Sequence, residues 1–242
     1  MNKYEKLFFI KQYTDSIGSI YGTEDFSIFL YSLIKMRKPE TVVELGTGLG
    51  SIALWAGLAL EENGSGQIYT VDNGAEWNHL KQAKPQMGPM FREQYLEYVN
   101  NLIDKFELNQ YIKFIHRDIS AVGLPEKIDI VFSDFSHGPA DILNLLSELL
   151  PKMSETSIIM FDSASTYYSS YHTLEAIVDM FNNGKVPASM QNKEEIQQLV
   201  SSSKFTLQHV VESKNRAQNS TACIYIQPVD VFPYPLTAMR FR

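Results

Sequence analysis

The residues best suited to chemistry lie in four short runs. The first, Val42-Val43-Glu44-Leu45-Gly46-Thr47-Gly48-Leu49-Gly50-Ser51, joins a β-branched segment to an apolar helical pattern through three alternating glycines. Glycines there allow a tight turn and close backbone approach to a ligand at the carboxyl end of a strand, where open α/β sheets hold nucleotide cofactors. Glu44, Gly46, Thr47, Gly48, Gly50 and Ser51 are therefore candidate binding residues. The second run, Ile68-Tyr69-Thr70-Val71-Asp72, ends in a carboxylate followed by Asn73, and Asp72 can accept both hydrogens of a ribose diol or cap a helix. The third places Asp118 and Ile119 after Phe114-Ile115-His116-Arg117, where a carboxylate can accept a hydrogen bond and an apolar side chain can pack. An N-cap is the equal alternative for Asp118.

The fourth candidate site is split. Asp134 and His137 follow Ile128-Asp129-Ile130-Val131-Phe132-Ser133, and Asp162 and Ser163 follow Ile158-Ile159-Met160-Phe161. Carboxylates at two adjacent strand ends converge on one loop cluster, where they can hold a hard cation, while a histidine beside them can move a proton. The competing assignments are helix caps for the acids and a polar loop residue for His137. Tyr167, Tyr168, Tyr171 and His172 either border a pocket or form a packing patch. Trp77 and His79 sit where a lid or substrate wall would form, and His79, His116, His172 and His209 show no zinc spacing.

These runs need parallel strands to bring them together, and the intervening patterns supply them. Helical spacing covers Tyr4–Ile17 and Asp25–Lys38, with a hinge or turn at Gly18–Thr23 and a stop at Pro39. Strands are expected at Thr41–Leu45, Gln67–Asp72, Ile112–His116, Ile128–Ser133 and Ser157–Phe161. Helices Ser51–Glu61, Phe91–Phe106, Ala140–Leu150 and Thr166–Phe181 connect them, with a short helix or turn at Ser120–Leu124. Phe205–Val211 and Ala222–Gln227 have no helix between them, so that pair should be antiparallel. Asn73–Met90 and Asn182–Asn192 read as mobile insertions, and Pro228–Arg242 as an irregular tail. One domain is expected over 1–242, divided into a helical cap (1–39), a core (40–227) and the tail (228–242).

A formal net charge of -7, with Lys and Arg dispersed among 242 residues, disfavours a nucleic-acid partner. No apolar run is long enough to span a bilayer, and the N-terminus does not read as a secretory signal, which leaves the cytoplasm as the expected location. Cys223, the only cysteine, lies in an alternating apolar segment and reads as a core strand residue.

The run from Glu44 to Gly50 with Asp72 resembles motif I and the ribose acid of class I S-adenosylmethionine-dependent methyltransferases. A dinucleotide fold fits less well, since Ser51 stands where its Gly-x-Gly-x-x-Gly requires the last glycine. Asp134, His137 and Asp162 are similar to the metal-dependent small-molecule O-methyltransferases related to macrocin, catechol and cephalosporin-biosynthesis enzymes. The resemblance spans roughly residues 40–165. It implies an α/β fold with a Rossmann-like, seven-stranded, mostly parallel sheet, an antiparallel terminal strand, helices on both faces and an N-terminal helical cap. It further implies that Glu44 organises the methionine end of the cofactor, that Asp72 takes the ribose, that Asp118 and Ile119 take the adenine, and that Asp134 and Asp162 with Ser163 hold Mg²⁺. His137 would remove the proton of a small-molecule hydroxyl acceptor. Two departures stand out: Ser163 replaces the Asn of the catechol enzymes, and Lys152-Met153-Ser154-Glu155-Thr156 replaces a common Gly-Gly turn. The N-terminal helices and the tail are free to select the acceptor or join subunits as a homodimer. Peptide or protein methylation, noncatalytic cofactor binding and nicotinamide-dependent oxidoreduction are the alternative functions.

Overall fold

The computed structural model describes residues 1–21, 24–83, 93–211 and 220–229. Its strands are β1 (Thr41–Leu45), β2 (Gln67–Asp72), β3 (Ile112–His116), β4 (Ile128–Ser133), β5 (Met153–Asp162), β6 (Ser203–Val211) and β7 (Ser220–Pro228). They form one seven-stranded sheet in the order β3-β2-β1-β4-β5-β7-β6. The first five run parallel, and β7 lies antiparallel to both β5 and β6. The expected fold class is the observed one.

Alternation along the strands divides the core into two layers, because successive side chains point to opposite faces. Val42, Phe132 and Met160 face α1 (Lys3–Tyr21), α2 (Glu24–Arg37), α3 (Ser51–Asn63), α4 (Trp77–Ala83) and α5 (Tyr95–Lys105). Val43, Val131 and Ile159 face α6 (Pro139–Leu149), α7 (Tyr168–Asn182) and α8 (Lys193–Ser202). With both faces covered, the central strands have no polar side to show, which is why they read as unbroken apolar runs.

α3 is buried continuously from Ser51 to Leu60 because α1 and α2 pack over the side away from the sheet. Lys6 of α1, 2% exposed, is paired with Glu61 of α3 at 2.7 Å, and the Trp55 indole donates to the Thr14 hydroxyl at 2.9 Å. The N-terminal helices are thus a layer of the core.

The topology places the functional loops. β1 connects outward to β2 on one side, whereas β4 and β5 extend the sheet on the other, so the loops leaving β1 and β4 diverge and open a crevice at the carboxyl ends of the strands.

Several boundaries differ from expectation for identifiable reasons. α1 continues through Gly18 to Tyr21, so the anticipated break at Gly18 is absent, while residues 22–23 lie outside the described residues. β5 begins four residues early, at Met153, since a 3₁₀ turn over Leu150–Lys152 feeds straight into it and Met153 pairs with Ile128. Ser120–Leu124 is a turn. α8 was not anticipated: only Ile196 and Val200 are buried on an otherwise polar helix. The segment before it is anchored, contrary to the expected mobile insertion: Met190 is buried and the Asn192 amide donates to the Ser147 carbonyl at 3.1 Å. The expected insertion after Asp72 contains α4, with residues 84–92 outside the described residues, as are 230–242 of the tail.

Candidate active site

The glycine turn is built by extending the sheet one hydrogen bond beyond its strands. Gly46 N–H donates to the Val71 carbonyl at 2.9 Å, and Asp134 N–H donates to the Leu45 carbonyl at 2.8 Å. Gly46, Gly48 and Gly50 have φ of 98°, 52° and 82°, values in the left-handed region that side chains disfavour. Asp72 organises two turns at once, accepting from Gly48 N–H at 3.0 Å and from Gly74 N–H at 2.7 Å.

The turn forms the floor of a cavity of about 360 Å³. Glu44, Gly46, Thr47, Gly48, Ser51, Asp72, Asn73, Ile119 and Asp134 all line it, which brings together most of the residues singled out in the sequence. Gly50 lies just behind this lining, where its N–H donates to the Thr47 carbonyl at 2.8 Å. Asp118 is outside the lining and exposed; it accepts a 2.7 Å bond from the Asn73 side chain, so its link to the cavity runs through Asn73.

Glu44 is 1% exposed, and its carboxyl accepts a hydrogen bond from Thr70, which also contacts Thr47. Burial holds this carboxyl well above the usual carboxylate range; the Thr70 bond works against that, and the charges of Asp134 and Asp72 add to it. A cationic ligand entering the cavity would relieve the same cost.

Three tyrosines were missed as parts of this site. The Tyr95 hydroxyl donates to the Gly48 carbonyl at 3.0 Å, while Tyr13 and Tyr98 donate to the Leu49 carbonyl at 2.6 and 3.2 Å. Trp77 packs against Tyr95 and Tyr98 with ring centroids 5.2 and 4.7 Å apart and itself lines the cavity, as does Ile17 of α1. The turn carbonyls are thus satisfied from α1 and α5, elements 36 to 49 residues away in sequence. Nothing in the local pattern of Tyr13, Tyr95 or Tyr98 distinguishes them from other helix aromatics.

A second cavity, of about 410 Å³, shares Asp134, Phe135 and Ser136 with the first and adds His137, Gly138, Asp162, Ser163, Tyr167, Ser169 and Ser170. Both Asp134 and Asp162 are held above the ordinary carboxylate range, chiefly by burial; the Asp162 charge pushes Asp134 further, and bonds from Ser163 and Thr221 moderate Asp162. Ser163 has a φ of 59° and donates to the Asp162 carboxylate at 2.9 Å. The two acids therefore meet at one place, as their strand ends require. Tyr168 and His172 form an edge-to-face pair outside the lining, with centroids 4.2 Å apart.

His137 is bonded at both ring nitrogens. Its Nδ1 lies 2.7 Å from the Asp162 carbonyl oxygen, which can only accept, so Nδ1 carries the proton and Nε2 accepts from the Ser133 hydroxyl at 3.1 Å. Burial pushes its pKa down to about 4, so a proton from an acceptor would have to displace an existing bond and charge a buried ring. The geometry makes His137 a neutral strut between the ends of β4 and β5. A ring kept neutral in the fold contributes stability that is complete above pH 6.5 and is lost as pH falls toward about 4. Over that interval the wild type should lose about 3 kcal/mol relative to His137→Gln in denaturant titrations; parallel curves for the two proteins would contradict the neutral strut.

Among the described residues no group of three or more His, Cys, Asp or Glu is arranged to hold a metal ion, and no helix is long and apolar enough to cross a membrane. Asp134 and Asp162 nevertheless fit a hard cation. Mg²⁺ is commonly held by one or two carboxylates with water and substrate oxygens completing its shell, and a cation would offset the burial that raises both acids and the Asp162 charge that raises Asp134 further.

Comparison with known proteins agrees with this architecture. A family described as a methyltransferase domain matches residues 43–164, which contain the glycine turn, Asp72, Asp134 and Asp162. No curated protein matches the sequence. Among solved structures, a methyltransferase from Geobacter sulfurreducens superposes with a TM-score of 0.57 at 16% identity, covering 90% of this chain and 88% of the other. The O-methyltransferase TomG from Streptomyces achromogenes, solved with S-adenosylmethionine, gives 0.50 at 14%, covering 84% and 80%. An O-methyltransferase from Bacillus cereus, solved with S-adenosylhomocysteine, gives 0.50 at 14%, covering 90% of each chain. At these identities the structural likeness speaks for the fold alone.

Proposed function

Because the chain belongs to the methyltransferase-domain family, as a class I S-adenosylmethionine-dependent enzyme, we propose that it methylates a hydroxyl group of a small molecule held in the second cavity. One observation carries this reading: the cavity over the glycine turn and the cavity between Asp134 and Asp162 are neighbours that share Asp134, Phe135 and Ser136. A donor and an acceptor placed in them meet beside Asp134, which supplies the proximity a bimolecular transfer needs.

When bound, the cofactor supplies an electrophilic sulfonium methyl group and Mg²⁺ supplies Lewis acidity toward the acceptor oxygen. The chain's own residues do the rest. The turn from Gly46 to Gly50 offers a floor without side chains for the cofactor, Glu44 and Asp72 receive its amino group and ribose, and Asn73 and Ile119 border the adenine end. Asp134 and Asp162 would hold the metal, with Ser163 beside them. His137 keeps the two strand ends at a constant separation. In the overall transfer the acceptor's O–H bond and the cofactor's methyl–sulfur bond break, an O–CH₃ bond forms, and S-adenosylhomocysteine leaves. Asp134, at the junction of the cavities, would receive the proton once a bound cation offsets the burial and the Asp162 charge and keeps its carboxylate ionised.

Isothermal titration of the ligand-stripped protein with S-adenosylmethionine and S-adenosylhomocysteine, with and without Mg²⁺, tests the premise. Both are expected to bind with Kd near 1 μM or tighter, corresponding to about -8 kcal/mol. Failure of a folded sample to bind either one would sink the reading.

A further inference from the structure

Asp72 and Tyr95 hold Gly48 by both of its backbone polar groups. Its N–H donates to one Asp72 carboxylate oxygen at 3.0 Å, and its carbonyl accepts from the Tyr95 hydroxyl at 3.0 Å. Glycine has the widest choice of backbone conformation, so bonds at both ends are what keep Gly48 at a φ of 52°. The other Asp72 oxygen accepts from Gly74 N–H at 2.7 Å, and Gly74 lies against the Tyr95 ring. A Cβ on Gly74 would fall 2.4 Å from Cδ1, 2.8 Å from Cγ and 3.0 Å from Cβ of Tyr95. The ring has little room to withdraw. Tyr95 is 6% exposed, stands perpendicular to Phe114 with centroids 5.8 Å apart, and is the first residue of α5, where Gln94 N–H donates to the Glu97 carboxylate at 3.3 Å in a capping box. Each Asp72 oxygen gives one lone pair to a backbone N–H and keeps another, which suits the two O–H donors of a vicinal diol.

We propose that Tyr95 is a positioning residue for the cofactor: by fixing Gly48 and abutting Gly74 it sets the orientation of the Asp72 carboxylate, and through it the affinity for a ribose that carries both hydroxyls. The inference rests on the cofactor reading above. Removing the Tyr95 hydroxyl releases the Gly48 carbonyl, and the free protein then samples turns in which the acid is misaligned. The apparent Kd rises in proportion as the binding-competent fraction falls. S-adenosylmethionine and S-adenosylhomocysteine carry the same nucleoside, so both should weaken alike. A ligand lacking one ribose hydroxyl has less to lose from a misaligned acid.

The test titrates the full chain and Tyr95→Phe with S-adenosylmethionine, S-adenosylhomocysteine and 2′-deoxy-S-adenosylhomocysteine. The variant should raise Kd for the first two by about tenfold, the size of one well-formed hydrogen bond. The wild-type preference for S-adenosylhomocysteine over its 2′-deoxy analogue should shrink by about threefold or more. Unchanged affinities overturn the proposal, and so does equal weakening of the two analogues, which would make Tyr95 a packing residue only. A wild type that binds none of the three ligands overturns the cofactor reading itself, an outcome distinct from a wild type and variant that bind equally well. A second arm uses Gly74→Ala, which pushes the ring away; it should weaken S-adenosylhomocysteine at least as much as Tyr95→Phe does. Adding Tyr95→Phe to it should then cost no more than about a further twofold, since coupled neighbours are not additive. Fully additive losses would count against the proposal, and Tyr95→Phe decides it alone if Gly74→Ala does not fold.

Discussion

Asp134→Asn should reduce methyl transfer to about 1% of the wild-type rate or less while making the protein harder to unfold at pH 8. The loss follows from position, since Asp134 is the carboxylate common to the two cavities and, in the proposed transfer, removing its charge takes away a proton acceptor and a metal ligand. The gain follows from electrostatics. The Asp134 carboxyl is held above its ordinary range by burial and by Asp162, so the folded state prefers it protonated. For such an acid the favourable contribution is complete below the unfolded pKa and is lost as pH rises through the folded value. The wild type therefore carries a growing cost from weakly acidic to alkaline pH that the neutral amide does not. Denaturant titrations at pH 5 and pH 8 in the presence of a chelator, paired with rate measurements, should give a stability advantage for the variant that widens with pH. An inactive variant that is also less stable at pH 8 would make Asp134 a structural residue instead.

Gly46→Ala is the second large effect, and here the backbone decides. An added Cβ would lie 2.2 Å from the Asp134 carbonyl oxygen and 3.1 Å from its carbonyl carbon, and the φ of 98° is itself unfavourable for alanine. Neither neighbour can yield cheaply, because Gly46 N–H is bonded to Val71 and Asp134 N–H to Leu45. We expect a loss of about 3 kcal/mol or more, with cofactor binding abolished as the turn moves away from Asp134. Gly64→Ala is the matched control: its φ is 74°, nothing lies within 4 Å of the added carbon, and only the conformational cost of about 1 kcal/mol should appear. Equal stability losses and intact binding in both variants would show that close approach at Gly46 is not what the site requires.

The cofactor half of the site was legible because its determinants are local. A glycine at Gly46 with a left-handed φ, and an acid one residue past the last buried position of β2, are properties of a few consecutive residues. Parallel pairing of β1, β2 and β4 then carries those strand ends to the same edge. α8 was illegible for the opposite reason: two buried residues on a polar decamer leave a period too weak to read.

By itself the sequence determined the order of the strands and of all the helices except α4 and α8, the period that divides the core into two faces, and the strand ends that carry Glu44, Asp72, Asp134 and Asp162. Those features depend on side-chain volume, polarity and backbone freedom at each position. Only the tertiary structure decided how the polar atoms are used. It bonded both ring nitrogens of His137, brought Tyr13, Tyr95 and Tyr98 onto the carbonyls of the glycine turn, and moved Asp118 to the outside of the cavity. Hydrogen bonds form between atoms within about 3 Å whatever their separation along the chain, so their direction exists only once the packing has brought the partners together.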